Sequence, residues 1–228
     1  MDVMIDLETL GDTPDAPVLE IAAVAFDRST FHISKSFDII TTVAFLVEQW
    51  FNRMCKDFCS RAPCCTLPQP DLEKNLGHPC IEETGTAGIL RCTSNDIKAE
   101  VLKAFPGASL ETLEWWQTAY KGHKCWSQST HGLTQIEAVR LFHHWLDLTV
   151  STYSYVYCKG MFDIPILSYW FRKYSLTPPW FFPNERDLRT IIKEHPEKSL
   201  PPPPEEAHDA LVDCEYQVQI LKEIRSTL

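Results

Sequence analysis

The chain opens on an alternation. Across residues 2–8, Asp-Val-Met-Ile-Asp-Leu-Glu, the apolar Val3, Ile5 and Leu7 fall on one side and Asp6 and Glu8 on the other, the two-residue period of a strand. Val18 to Phe26 reads as a second, strongly apolar strand, reached through the turn-rich Gly11-Asp12-Thr13-Pro14-Asp15. Phe31 to Phe37 alternates cleanly and makes a third. The short connections predict an antiparallel meander. Helical spacing follows at Leu110, Leu113, Trp116 and Tyr120, and again over Gln135 to Leu148 through Ile136, Val139, Phe142, His143 and Leu146. Tyr153 to Cys158 is then expected as a buried strand and Ile164 to Tyr174 as a helix. Trp180-Phe181-Phe182 is expected as a short last strand, followed by a helix through Ile192. After Pro201-Pro202-Pro203-Pro204, a final helix is expected from about Glu206 to the end, apolar at Leu211, Cys214, Val218 and Leu221. Strands first, then helices alternating with strands, describe an α/β domain with a mixed sheet flanked by helices.

The regular texture fails between about 42 and 107. Val43 to Phe58 has amphipathic helical spacing, but Pro63, Pro68, Pro70 and Pro79 then break the pattern repeatedly. The stretch is read as a Cys- and Pro-rich insertion or variable segment within a single domain spanning 1–228. Six of the nine cysteines lie in it: Cys55, Cys59, Cys64, Cys65, Cys80 and Cys92. With His78 they offer zinc-ligating types, but a closed zinc site pairs its ligands at short spacing twice over and only one such pair is clear. A structural zinc over 55–80 is therefore the minor reading, and loose thiols the major one. Cys125, Cys158 and Cys214 sit in apolar segments and read as small buried hydrophobes.

Composition narrows the class. Thirty-one Asp and Glu against 21 Lys and Arg give a net charge of −10, and 44% of residues are hydrophobic. That balance fits a soluble, intracellular globular chain, with no apolar run long enough for a membrane span and no basic leader. It argues against coating nucleic acid by bulk charge.

The acids carry the chemistry. Asp6 and Glu8 share one face of a strand expected near the middle of the sheet, where two carboxylates repel and lose hydration unless a cation joins them. About one Asp-x-Glu arises by chance in such a chain, so a solvated strand end is an equal reading of the pair alone. Asp163 follows Gly160-Met161-Phe162 where a strand meets a helix, a usual place for functional groups in α/β sheets; taken alone, it is more simply an N-cap. His208 and Asp213 are five residues apart at the last helix, the His on the approach and the Asp on the helix body, with Asp209 available merely to complement the helix N-terminus.

Taken in chain order, these pieces resemble the DEDDh-type, DnaQ-like 3′–5′ exonucleases of the ribonuclease-H-like superfamily. The motifs are Ile5-Asp6-Leu7-Glu8-Thr9, Lys159-Gly160-Met161-Phe162-Asp163 and His208-Asp209-Ala210-Leu211-Val212-Asp213. The tyrosine subtype would carry Tyr where Asp209 stands, so the histidine subtype is indicated. Glu114-Trp115-Trp116-Gln117 and Arg186-Asp187-Leu188-Arg189-Thr190 look like the branch that holds phage exonucleases and an adenylate-preferring bacterial exoribonuclease. One departure is Lys159, which occupies a place where the family commonly has Asn. The resemblance covers residues 1–37 and 109–228.

The resemblance implies a ribonuclease-H-like five-stranded mixed sheet, three antiparallel strands followed by parallel ones. It implies hydrolysis of single-stranded RNA or DNA from the 3′ end, RNA slightly favoured, to 5′-mononucleotides. Asp6, Glu8, Asp163 and Asp213 would hold two Mg²⁺ or Mn²⁺ ions, and His208 would serve as general base. Thr9, Leu10, Phe162 and Arg189 would contact the 3′-terminal nucleotides. Arg186 and Arg189 could equally pair with Glu185 or Asp187, and Trp115 and Trp116 are more readily core than stacking platforms. Related exonucleases are often dimers, so a homodimer is an open possibility, and no membrane partner is expected. The alternative function is a nuclease-fold module, weak in catalysis, that binds nucleic-acid 3′ ends or partner proteins; Lys159 and the insertion motivate it.

Overall fold

In a computed structural model of the chain, five strands form one mixed sheet of order β3-β2-β1-β4-β5. The residues described are 1–47, 49–50, 95–119, 123–205 and 208–226. The strands are β1 (Asp2–Thr9), β2 (Val18–Phe26), β3 (Ile33–Ile40), β4 (Val156–Cys158) and β5 (Glu185–Asp187). β1 pairs antiparallel with β2, and β2 with β3, as the meander predicts; β4 and β5 extend the sheet in parallel on the other side of β1. The helices are α1 (Asn95–Ala104), α2 (Leu110–Ala119), the single turn α3 (Lys124–Ser127), α4 (Gln135–Asp147), α5 (Asp163–Lys173), α6 (Leu188–Glu194) and α7 (Ala210–Arg225).

β1 is central, and its alternation sorts the two faces. Val3, Ile5 and Leu7 pack under α4 and α5, against Val139, Phe142, Leu146, Ile164, Leu167 and Phe171. Met4, on the other face, packs with Ala22, Val24 and Phe26 under Cys214, Val218 and Leu221 of α7. All nine residues of β2 are buried, as expected of a strand covered on both faces. Its one charged residue, Glu20, lies directly opposite Glu8. A third cluster closes the end of the sheet where β1 stops: Leu10 and Leu19 pack with Leu113, Trp116, Cys125 and Trp126.

Local signals explain several boundaries. Thr134 and Glu137 form a reciprocal capping box at the start of α4. Ser109 Oγ accepts the Thr112 N–H at the head of α2. The loop before α2 lies against the end of β1, with the Ser109 N–H donating to the Leu10 carbonyl across 2.7 Å. A Cβ at Gly11 would run into the Gly107 carbonyl oxygen, so this approach requires glycine.

Three expectations are corrected. The last strand is Glu185–Asp187 rather than Trp180-Phe181-Phe182: Trp180 is buried, but Phe181 and Phe182 are 61% and 76% exposed and Phe182 enters a 3₁₀ turn with Pro183. The strand expected from Tyr153 is confined to Val156–Cys158, because Thr152 and Tyr153 sit in a turn that the Ser154 N–H closes on the Ser151 carbonyl. The last helix begins at Ala210 rather than near 206, since the Asp209 side chain caps it through the Leu211 and Val212 N–H groups. Within the expected insertion, residues 43–47 and 49–50 are helical and α1 spans Asn95–Ala104; the zinc and loose-thiol readings of Cys55 to Cys92 fall outside the described residues. None of the described helices is long and apolar enough to cross a membrane.

Candidate active site

β1 and β4 run parallel, and the acids of all three motifs gather at their carboxyl ends. β1 supplies Asp6 and Glu8. A register shift between Glu8 and Thr9 marks a bulge there, a device that re-aims side chains at a strand end. The turn after β4 delivers Asp163 as the first residue of α5, and the first turn of α7 delivers Asp213.

The surroundings are dry. Glu8 is 7% exposed and Asp163 is 1% exposed, so neither the solvated strand end nor the N-cap reading holds. Phe162 occupies the cap position of α5, and the Asp163 carboxylate has no side-chain hydrogen-bond partner among the described residues, only the nearby backbone of Leu7 and of Asp163 itself to offset its burial. Burial, reinforced by the Asp6 charge, raises Asp163 well above the ordinary carboxylate range. Burial and the neighbouring Asp6, Glu20 and Asp213 do the same to Glu8. Asp6 is pushed up to about 7, chiefly by burial; the Gln217 amide partly offsets this by donating to Asp6 Oδ1 across 2.7 Å, and the Asp213 charge adds to it. Asp213 is also raised, mainly by burial. Burial thus raises all four carboxyl groups, neighbouring acids add to the rise, and the Lys159 and Arg189 charges only partly offset it.

His208 closes this group from the side. A ligand atom from each of Glu8, His208 and Asp213 lies within 4.8 Å of the others. The His208 backbone N–H donates to Asp213 Oδ2 across 3.2 Å, and the Trp115 ring meets the imidazole edge-on at 4.8 Å. His208 has φ = +69°, in the left-handed region that costs a non-glycine residue on the order of 1–3 kcal/mol. Burial lowers its pKa, and the Lys159 charge acts in the same direction against the opposing pull of Asp213. The imidazole is therefore neutral and proton-accepting at neutral pH.

The other expected contacts divide. Phe162 is 37% exposed beside Asp163. Arg189 lies over Gly160, where a Cβ would stand 3.2 Å from its guanidinium nitrogen; Gly160 has φ = +103°. The Arg189 charge partly offsets the burial that raises Asp163. Arg186 instead donates to the Pro183 and Glu185 carbonyls and stacks over Tyr155 at 4.3 Å, away from the acids. The Thr9 hydroxyl donates to the Gly11 carbonyl, and the Trp116 indole N–H takes the Thr9 carbonyl at 2.9 Å. The Leu10 side chain is fully buried and packs in one cluster with Leu19 and Trp116.

Gln217 was not foreseen. It stands four residues after Asp213 on a buried stripe of α7, where a lone polar residue among Cys214, Val218 and Leu221 is the available signal. Nor was the cluster of Glu20, His123 and Cys125, whose ligand atoms also lie within 4.8 Å of one another. Here the protein already supplies the partners: Lys124 Nζ is 2.8 Å from Glu20 Oε1, and the Cys125 thiol donates to Oε2 at 3.0 Å.

Comparison with known proteins adds to this geometry. A family model described as the 3′–5′ exoribonuclease Rv2179c-like domain matches residues 1–225, including the stretch between the first two motifs. No curated protein matches the chain. Among solved structures, one of exonuclease I, concerned with its processivity, aligns with a TM-score of 0.52 at 12% identity, over 100% of this chain and 41% of that one. E. coli exonuclease I in complex with a 5cy-dA13 oligonucleotide aligns with a TM-score of 0.50 at 12% identity, over 97% and 40% of the two chains. The same enzyme with a dA16 oligonucleotide gives 0.52 and 12%, over 100% and 42%. At this identity the likeness is one of fold, and the chain spans about two-fifths of the exonuclease I length.

Proposed function

Because the chain belongs to the 3′–5′ exoribonuclease Rv2179c-like domain family, we propose that it is a metal-dependent exonuclease that shortens single-stranded nucleic acid from the 3′ end and releases 5′-mononucleotides. The family's description favours RNA, while the exonuclease I complexes hold oligodeoxynucleotides. The observation that carries the reading is Asp163, a buried carboxylate with no side-chain hydrogen-bond partner among the described residues and raised well above the ordinary range, set among three further carboxylates with raised pKa values. Such a group is costly unless a cation joins it.

The donor set fits hard divalent ions: Asp6, Glu8, Asp163 and Asp213 offer only oxygen, as Mg²⁺ and Mn²⁺ prefer. When bound, two such ions would lower the barrier by stabilising charge on the attacking and leaving oxygens of the phosphodiester. The chain's own residues do the rest. His208, neutral and held by Trp115 and the Asp213 carboxylate, takes the proton of the attacking water at its imidazole nitrogen. Phe162 offers an exposed ring to the terminal base, and Arg189 offers a guanidinium to a phosphate. Gln217 holds Asp6 in one orientation.

The test is hydrolysis of a single-stranded oligonucleotide with Mg²⁺ or Mn²⁺. EDTA, Asp6→Ala and His208→Ala should each abolish product. Full activity of Asp6→Ala would remove the assignment.

A further inference from the structure

Outside the three motifs, one cation gathers carboxylates from three separate elements. Lys124, the first residue of α3, places Nζ 2.8 Å from Glu20 on β2, 3.0 Å from Asp38 on β3 and 2.8 Å from Asp209 at the head of α7. Its side chain is 18% exposed, Asp209 is 19% and Glu20 is 0%, so these pairs are shielded far better than surface ion pairs. Burial alone would lower Lys124, yet the three carboxylates raise it above the ordinary lysine value, so the bridge stays charged through the neutral range.

Asp209 uses every acceptor it has. Oδ1 accepts the Leu211 and Val212 N–H groups at 3.1 Å each, Oδ2 meets Lys124, and the backbone carbonyl accepts the Asp213 N–H at 2.8 Å. The residue therefore sets where α7 starts and in which direction. His208 immediately precedes it, and Asp213 lies one turn later. A left-handed φ at His208 persists only where its surroundings over-determine it, and the Lys124–Asp209 bridge is such a constraint, anchored in the sheet through Glu20.

We propose that Lys124 is a positioning residue: acting through Asp209, it fixes the entry of α7 so that His208 and Asp213 stand together beside Glu8. This inference rests on reading those three residues as an exonuclease site. Asp209→Asn isolates it. Asn caps a helix as well as Asp does, so the helix start is kept while the charge facing Lys124 is removed.

The experiment compares the full chain with Lys124→Met, Lys124→Arg, Asp209→Asn, the Lys124→Met/Asp209→Asn double variant and Asp38→Asn. Two readouts are taken: steady-state 3′-end hydrolysis, and the imidazole nitrogen NMR signal of His208 without metal or substrate, assigned through its loss in His208→Gln. Lys124→Met and Asp209→Asn should each lower kcat about tenfold or more with KM within about twofold, and the double variant should be no worse than the poorer single, because both break one bridge. Lys124→Arg should recover part of kcat, and Asp38→Asn should match the wild type. The His208 signal should move alike in both single variants and stay in place in Asp38→Asn. Additive losses, or an unmoved His208 signal with unchanged kcat, would overturn the proposal. If Lys124→Met does not fold, Asp209→Asn and Lys124→Arg decide on the same readouts. A wild type without hydrolysis would remove the exonuclease reading, while the NMR signal would still decide whether Lys124 positions His208.

Discussion

Gln217 on α7 donates its side-chain amide to Asp6 on β1 across 2.7 Å, joining residues 211 positions apart. The same helix turn carries Asp213, so α7 presents a carboxylate and its neighbour's hydrogen-bond donor to the end of one strand. Removing the donor should leave Asp6 harder to ionise, because the amide is what offsets burial there. Gln217→Leu should therefore lower Mn²⁺-dependent activity by about 10–100-fold and weaken metal affinity comparably. Calorimetric titration with Mn²⁺ checks this; unchanged affinity would show that Asp6 needs no such support.

The raised carboxylates dictate how the metal-free protein responds to pH. Asp6, lifted from 3.8 to about 7, holds a proton in the folded state that the unfolded chain has already released. This contribution to stability is full only below about pH 4, the unfolded value, and is lost as pH rises through the folded value near 7. In EDTA, the thermal midpoint should fall by on the order of 5 °C between pH 5 and 8. Mg²⁺ or Mn²⁺ at pH 8 should restore it by binding the folded state alone. A midpoint rising over that interval in EDTA would contradict the burial of these acids.

Asp163→Asn separates stability from function. Burial and the Asp6 charge oppose ionisation of Asp163 in the folded state, so the metal-free protein at pH 8 should melt higher than the wild type once that ionisable group is gone. Hydrolysis should nevertheless fall by about a thousandfold or more, since a metal ligand is lost. A variant that lost both stability and activity would mean that Asp163 is held by contacts its carboxylate makes in the fold.

Arg189 and Gly160 form one unit. Arg189→Ala should raise KM for an oligonucleotide and reduce the salt slope by about one, the signature of a single lost phosphate contact, with little change in thermal stability. Gly160→Ala should cost about 1–3 kcal/mol, because φ is +103° and the new methyl would press on the Arg189 guanidinium. Denaturant unfolding and salt-dependent kinetics measure the two effects separately.

Much of the fold was legible because it is written at short range. The alternation of Val3, Ile5 and Leu7 against Asp6 and Glu8 fixes both a strand and its faces, and the continuous apolar run of β2 marks a strand covered twice. The acids were legible as a set through their motifs, not through any one position. What escaped was decided by contacts across the fold. Trp180-Phe181-Phe182 has the composition of a strand, yet the edge of the sheet is taken by Glu185–Asp187, whose partner is β4. Gln217 carries no motif, yet it meets Asp6 from across the fold. The bridge from Lys124 to Asp209 spans 85 positions, and no local pattern announces it.

The central claim is that the carboxylates at the ends of β1 and β4 and the head of α7 support hydrolysis from a 3′ end. Matched single-stranded RNA and DNA oligonucleotides, labelled at the 3′ or the 5′ terminus and incubated with Mn²⁺, test it most directly. The 3′-labelled strand should release labelled mononucleotide from the first time points, while the 5′-labelled strand shortens as a ladder, faster for RNA than for DNA. Early release of mononucleotide from the 5′ terminus, internal fragments, or no metal-dependent product would contradict the account.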